Sequence, residues 1–406
     1  MNSNIPLIKE EKPNFIYLTI LYSLYFLIAP FEDMLNFGAG TILFYIAILI
    51  VIVTFSYFYF YNLNIKLFDF RVVAPIVLII ISWISILWSS NISVTFSRNI
   101  TYTLLPMLFV ISSITYFSNK SFEIIKKAII TGGLGIFIFI LINFDEFLSQ
   151  EYQRFTIAEG NDPNNLAAHL IFPLFLAISY IFDKMDKKRI INYFYIAALL
   201  FSIFMTGSRG AFLAVIVGLI SLLFFFNKKP FFSKLLFTST FIILILIIIN
   251  IIPESIYQRI FRLENYTRDF DSYGSRTSIW IIMVTKIIPN ILPLGLGSGM
   301  VPYELLHYFG QIKATHNTYL TIIGEYGFIG FPIFAIFIVK MLNKLKKYNP
   351  IILSGLVAML VVIFFLDSYP KKFFWNCLIL ASLYINTKNR NYELVFKVDE
   401  FNLRRY

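Results

Sequence analysis

Long apolar runs separated by short polar stretches make up most of this 406-residue sequence. A helix crosses the hydrocarbon of a bilayer with about 20 residues. Runs of that order fall near 15–34, 41–61, 72–89, 100–117, 124–143, 164–182, 190–206, 210–226, 235–252, 316–340, 350–367 and 371–386. Their Leu, Ile and Phe positions are apolar all round, as lipid-embedded helices require. The pattern predicts an all-α polytopic membrane protein with about 12 transmembrane helices. One interruption stands out. From Ile190 to Phe226 the chain would be a single apolar run of about 37 residues, enough for two crossings, were it not for Thr206-Gly207-Ser208-Arg209-Gly210-Ala211. Arg209 therefore marks a tight turn between two helices, and an ionisable group at membrane depth is a functional-site candidate by default. No period marks internal repeats, and no pair of halves with matching Gly/Pro-broken helices is evident.

The stretch 253–315 is far longer than the other connections, and loops of that length are commonly functional. It divides the chain into an N-terminal bundle of about nine helices (1–252), a large extracytoplasmic loop with short helices between spans 9 and 10 (253–315), and about three C-terminal helices with a cytoplasmic tail (316–406). Within the loop, Ile279-Trp280-Ile281-Ile282-Met283-Val284, flanked by Arg276 and Lys286, predicts a short amphipathic or interfacial helix ending at Pro289.

Composition agrees with the pattern. Charged residues make up 14% of the chain against about 25% in soluble domains, and 46 Phe and 25 Tyr suit lipid-facing helices and interfacial belts. The net charge of +11 would fit a nucleic-acid partner, but its distribution points to membrane orientation instead. Of the 34 Lys and Arg, 23 fall in one alternate set of loops and 11 in the other. The positive-inside rule makes the richer set cytoplasmic. Both termini are then inside, which an even number of spans requires. The Arg209 turn, the 144–163 loop and the 253–315 segment face outward. The first run, Phe15 to Pro30, lacks a small-x-small exit and reads as a retained helix. The lone Cys377 leaves no internal disulfide or Cys-based metal site and reads as a small apolar residue of the last helix.

Few groups offer chemistry. Of three histidines, His169 lies inside the sixth span and reads as a packed helix residue, and His307 is uninformative. His316 opens the tenth span on the outer side, where a neutral imidazole can take a proton from a hydroxyl; the competing reading is an interfacial helix-start residue. Asn317 beside it can orient a ligand or cap the helix. Arg209 and Arg276 carry forked donors that match phosphate oxygens, and the competing reading is binding to lipid headgroups. Arg259, Arg262 and Arg268 read as a solvated or headgroup-facing cluster. Arg154 precedes Gly160-Asn161-Asp162-Pro163-Asn164-Asn165, a turn into a helix start with Asn164 or Asn165 as its cap, or a polar wall of an outward pocket. Glu325 is the main acid within a crossing and joins Arg154, Asn164, Asn165 and Asn317 as a candidate pocket residue. Gly295-Leu296-Gly297-Ser298-Gly299 has no preceding strand to make it a nucleotide loop. Asp269-Phe270-Asp271 faces the nucleotide-poor side, and no cluster has metal-ligand spacing. Two arginines and a histidine remain, all outward at membrane level, a set suited to holding a lipid-linked diphosphate while an acceptor alcohol loses its proton.

Thr206-Gly207-Ser208-Arg209-Gly210-Ala211, Ser275-Arg276-Thr277-Ser278-Ile279-Trp280, Pro293-Leu294-Gly295-Leu296-Gly297, and His316-Asn317-Thr318-Tyr319-Leu320 with Gly324-Glu325-Tyr326-Gly327-Phe328-Ile329-Gly330 occur in the order of the O-antigen ligase/O-antigen polymerase superfamily. Asp162-Pro163-Asn164-Asn165-Leu166-Ala167 also resembles that family's pattern. The motifs span about 154–330, and the layout of spans is similar over the whole chain. The resemblance implies an inverting, metal-independent membrane glycosyltransferase with no cofactor, using a glycan on undecaprenyl diphosphate at the outer face of the bacterial plasma membrane. Arg209 and Arg276 would contact the donor diphosphate and His316 would activate the acceptor hydroxyl. A polymerase of O-antigen or capsule repeat units and a ligase to lipid A-core share these parts. The expected partners are the lipid-linked oligosaccharide, a glycan or lipid A-core acceptor, membrane lipids and a chain-length regulator. A polysaccharide transporter or flippase is the rival from another class; it predicts charged pairs along several spans, where few mid-span charges occur.

Overall fold

A computed structural model describes residues 15–37, 40–61, 69–115, 117–145, 154–158, 162–182, 189–225, 231–261, 275–291 and 293–388. These are almost wholly helical, as the apolar pattern predicts; the exception is a two-residue antiparallel pairing of Asn36 with Thr41 and Phe37 with Gly40. Nine helices come first: α1 (Ile16–Ile28), α2 (Ile42–Tyr61), α3 (Phe70–Ile84), α4 (Ile92–Ile114), α5 (Asn119–Ile142), α6 (Pro163–Ile181), α7 (Arg189–Met205), α8 (Arg209–Phe225) and α9 (Phe231–Ile251). Short helices follow: α10 (Glu254–Phe261), α11 (Arg276–Ile282), α12 (Ile288–Ile291) and α13 (Val301–Phe309). The chain then re-enters the bundle with α14 (Thr318–Tyr348), α15 (Pro350–Phe365) and α16 (Lys372–Lys388). Six described helices, α2 to α6 and α14, are long and apolar enough to cross a membrane; five more apolar helices are shorter.

The bundle is built around α6. Of its most apolar window 72% is buried, against 28% for α2, which identifies α6 as central and α2 as peripheral. α6 packs on α5, α7, α8, α15 and α16, and α15 packs most extensively on α8. At the end predicted to be cytoplasmic, a buried polar network joins three helices. Asp69 caps α3 and pairs with the fully buried Arg71 at 2.6 Å. Arg71 also donates to Ser382 Oγ at 3.1 Å and Asn386 Oδ1 at 2.6 Å on α16. Asn386 Nδ2 donates in turn to the carbonyls of Ser112, Ser113 and Thr115 at the end of α4. Burial alone would raise the Asp69 pKa, but the hydrogen bonds and charge of Arg71 outweigh it and hold the carboxyl well below its usual range.

Two local expectations are corrected. The cap of α6 is Asp162, not Asn164 or Asn165: its carboxylate accepts from Asn164 N at 2.9 Å, and Pro163 takes the first helical position, where its missing N–H costs nothing. The helix carrying Trp280 does not end at Pro289 but continues to Ile291, with a π-turn at Met283–Ile287 just ahead of the proline.

Candidate active site

α7 ends at Met205 and α8 begins at Arg209, so only three residues make the turn between two antiparallel helices. Gly207 supplies the left-handed conformation that closes α7, with φ +58, and its N–H donates to the Phe204 carbonyl at 2.8 Å. The glycine is also needed for space: a Cβ there would meet Arg259 Cδ at 3.1 Å and Arg154 Cγ at 3.7 Å. Gly210 lets the end of α15 approach, since a Cβ would lie 3.2 Å from Phe365. The turn is thus the seam where α10, the 154–158 segment and α15 meet α7 and α8.

Arg154 ties this turn to the start of α6. Its Nε donates to the Thr206 carbonyl at 2.9 Å and one Nη to Asn164 Oδ1 at 2.7 Å, while Asn164 Nδ2 donates to Asp162 at 2.8 Å. The Arg209 Nε donates to the Arg259 carbonyl. Arg154 is pushed down to about 10, first by burial and then by the positive charge of Arg259, with Arg276 and Arg209 adding and Asp162 opposing. Four guanidiniums therefore share one locality. Three long helices, α6, α8 and α14, also begin here, with the positive ends of their dipoles toward it.

Arg276 is the first residue of α11, behind the Ser275 cap. One turn on, Trp280 packs its ring on Phe364 at 5.3 Å and donates its Nε1 to the Thr315 carbonyl at 2.8 Å. That contact brings α11 against the start of α14. His316 is partly buried there with φ +51, the only positive φ among the described non-glycine residues. Its pKa is lowered, first by burial, then by the charge of Arg276, with Lys313 adding and Asp162 opposing. The imidazole is accordingly neutral at pH 7, as a proton acceptor must be. Asn317 caps α14, its Oδ1 accepting from Tyr319 N at 3.0 Å and Leu320 N at 3.1 Å.

The structure thus brings together Arg154, Asn164, Arg209, Arg276 and His316 of the sequence-derived set. Asn165 lies in the first turn of α6, where its N–H donates to the Asp162 carbonyl at 2.9 Å. Glu325 stands apart. It is 2% exposed, in a second polar cluster where the Tyr102 hydroxyl and the Gly299 N–H donate to it and Arg98 and Asp367 are its charged neighbours. The glycine loop 295–299 roofs this cluster: Leu296 N and Gly297 N donate to the Gly324 and Glu325 carbonyls at 2.9 and 3.0 Å. Sequence reasoning missed two residues of the first cluster. Arg259 was grouped with headgroup-facing arginines, although its place in the last turn of α10, after a proline-marked helix start, points it back toward the turn. Asp162, the acid that opposes the arginines, lies in the same turn, where the sequence points to Asn164 and Asn165 instead. Arg262, Arg268, Asp269 and Asp271 lie outside the described residues.

Residues 194–335 match a protein family described as O-antigen ligase. The matched stretch runs from α7 into α14 and contains Arg209, Arg259, Arg276, His316 and Glu325. No curated protein and no solved structure matches the chain.

Proposed function

With an O-antigen ligase domain over residues 194–335 placing the chain in the O-antigen ligase/polymerase superfamily, we propose that it is an inverting, metal-independent glycosyltransferase. The donor in this reading is a glycan on undecaprenyl diphosphate, and the site faces outward across a multi-pass plasma-membrane bundle of about 12 spans. Arg209 and Arg276 hold the diphosphate by charge-assisted hydrogen bonds, and Arg154 and Arg259 add positive potential. The acceptor hydroxyl gives its proton to His316 as its oxygen bonds to the anomeric carbon. The bond from that carbon to the diphosphate oxygen breaks, and undecaprenyl diphosphate leaves with the electron pair. The proton on the imidazole then passes to solvent. Negative charge grows on the leaving diphosphate during the step, so preorganised guanidiniums stabilise the transition state more than the donor.

The observation that carries this reading is the meeting of four arginines with a histidine whose pKa is lowered, at one end of the bundle. The acceptor in the proposal is a second lipid-linked repeat unit, making the protein a polymerase of O-antigen or capsule units. The family description favours a second reading, a ligase acting on lipid A-core. The surface glycan of a deletion strain separates them. Core carrying one repeat unit marks a lost polymerase; bare core with lipid-linked polymer behind it marks a lost ligase. Unchanged surface glycan contradicts both.

A further inference from the structure

His316 and Arg276 lie on different elements, 40 residues apart in sequence, and the proposed chemistry needs them in fixed register. One residue makes the join. Thr315 is 1% exposed, and both its backbone and its hydroxyl are engaged. Its carbonyl accepts from Trp280 Nε1 at 2.8 Å, one helical turn after Arg276. Its hydroxyl donates to the Asn317 carbonyl at 3.0 Å and accepts from Asn317 N at 3.1 Å, closing a loop around His316. The same hydroxyl lies 2.6 Å from Thr321 Oγ1 and, with its own proton on the Asn317 carbonyl, accepts there from Thr321. Within this loop His316 holds φ +51, a conformation that is strained for a residue with a Cβ and persists only where neighbours over-determine it. A second clamp sits one residue further: Thr318 Oγ1 donates to the Leu366 carbonyl at 2.7 Å and accepts from Ser368 N at 2.8 Å.

We propose that Thr315 is a positioning residue, which keeps the His316 imidazole in register with the Arg276 guanidinium through its hydroxyl loop and its link to Trp280. The hydroxyl sets the strained turn, and the indole sets the distance between the two elements. Neither group touches substrate. Loss of either lets the turn relax to an ordinary negative φ and swings the imidazole away from the arginines. A misplacement of about 1 Å at a reacting group is worth up to about 100-fold in rate.

The proposal rests on His316 being the base, and the test separates the two. The purified full chain is assayed for transfer from lipid-linked oligosaccharide as wild type, Thr315→Val, Thr315→Ser, Trp280→Phe, the double variant Thr315→Val with Trp280→Phe, and His316→Ala. Thr315→Val and Trp280→Phe each lower kcat by about tenfold or more with little change in donor KM, and their combined loss is less than the product of the two. The acidic limb of their kcat/KM profiles moves up toward about 6.5, the value of an unperturbed histidine, because the imidazole leaves its buried seat beside Arg276. Thr315→Ser keeps the hydroxyl and restores both rate and limb. Wild-type kcat and limb in Thr315→Val and Trp280→Phe, with His316→Ala inactive, overturn the positioning role alone. A lowered rate with an unmoved limb, or with no rescue by serine, also overturns it. An active His316→Ala overturns the base and the positioning role together.

Discussion

His316 combines three properties that rarely coincide: a left-handed backbone, partial burial and a guanidinium neighbour that lowers its pKa. Each has a measurable consequence. Replacing it with alanine is expected to lower kcat by about 10²- to 10⁴-fold, with the protein still inserted, as read by product formation against membrane-fraction protein. The direction of the shift fixes the pH dependence. A base with a pKa below that of an ordinary histidine is neutral above that value, so kcat/KM stays level down through pH 7 and falls only below about 6.5. In the residual activity of Arg276→Gln the limb rises toward that ordinary value; an unmoved limb would show that the arginine does not act on the imidazole. Arg259→Ala should cut kcat/KM for the donor by about tenfold, the worth of one positive charge about 10 Å away at an effective dielectric of about 20, and an unchanged value would return Arg259 to the lipid headgroups. The proposed roles of Arg209, Arg276 and His316 come from the family resemblance of the strings around them; the residues alone also read as headgroup-facing arginines and a helix-start histidine. Arg259 was not legible: it sits among several arginines, and only the turn of the chain at Pro253 sets it beside Gly207.

Helices were legible wherever composition alone decides. Most expected runs coincide with described helices, because a continuous apolar stretch of about 20 residues in lipid has no alternative to helix, but α4 begins at Ile92 ahead of the run expected from 100, and α14 continues to Tyr348 past the run expected to end at 340. Backbone detail inside a helix was less legible. α14 breaks at Gly327, with φ 58 and ψ −153, a region only glycine occupies readily. A Cβ there would fall on the Pro293 carbonyl oxygen, where the glycine loop crosses the break. The sequence showed two glycine-rich strings; that they pack on each other follows from α12 and α13 bracketing the loop. Gly327→Ala is therefore expected to destabilise the fold by more than about 1 kcal/mol, seen as a lower unfolding temperature in detergent; an unchanged temperature would mean the break relaxes. At the other end of the bundle, Asp69→Ala leaves Arg71 buried without its carboxylate and should cost about 3 to 5 kcal/mol, measured in the same way.

For the whole molecule, the Lys and Arg count proposes a sidedness, and the even number of apolar runs requires only that both termini share one side. The chain supplies a convenient background for testing it, since its single cysteine, Cys377, is buried. Cysteines placed at Lys313 and Lys346 should label oppositely with a membrane-impermeant reagent in intact cells, Lys313→Cys reacting and Lys346→Cys only after lysis. Labelling of both, or of Lys346→Cys alone, would turn the proposed site toward the cytoplasm. Which helices touch one another was not legible. Charge and hydropathy order the spans along the chain, but which ones touch depends on small residues such as Gly210 at the α8–α15 contact. The same packing separates Glu325 from the arginines and gives it Arg98 and Asp367 as neighbours, though sequence placed it in the same pocket. The most direct test of the central claim is single-turnover transfer by the purified protein, with undecaprenyl-diphosphate-linked oligosaccharide as donor and chelator present. Wild type is expected to form the new glycosidic bond and release undecaprenyl diphosphate, while Arg209→Ala, Arg276→Ala and His316→Ala do so at least about 100-fold more slowly. Full-rate transfer by any of these three variants, or no transfer by wild type with either acceptor, would contradict the account.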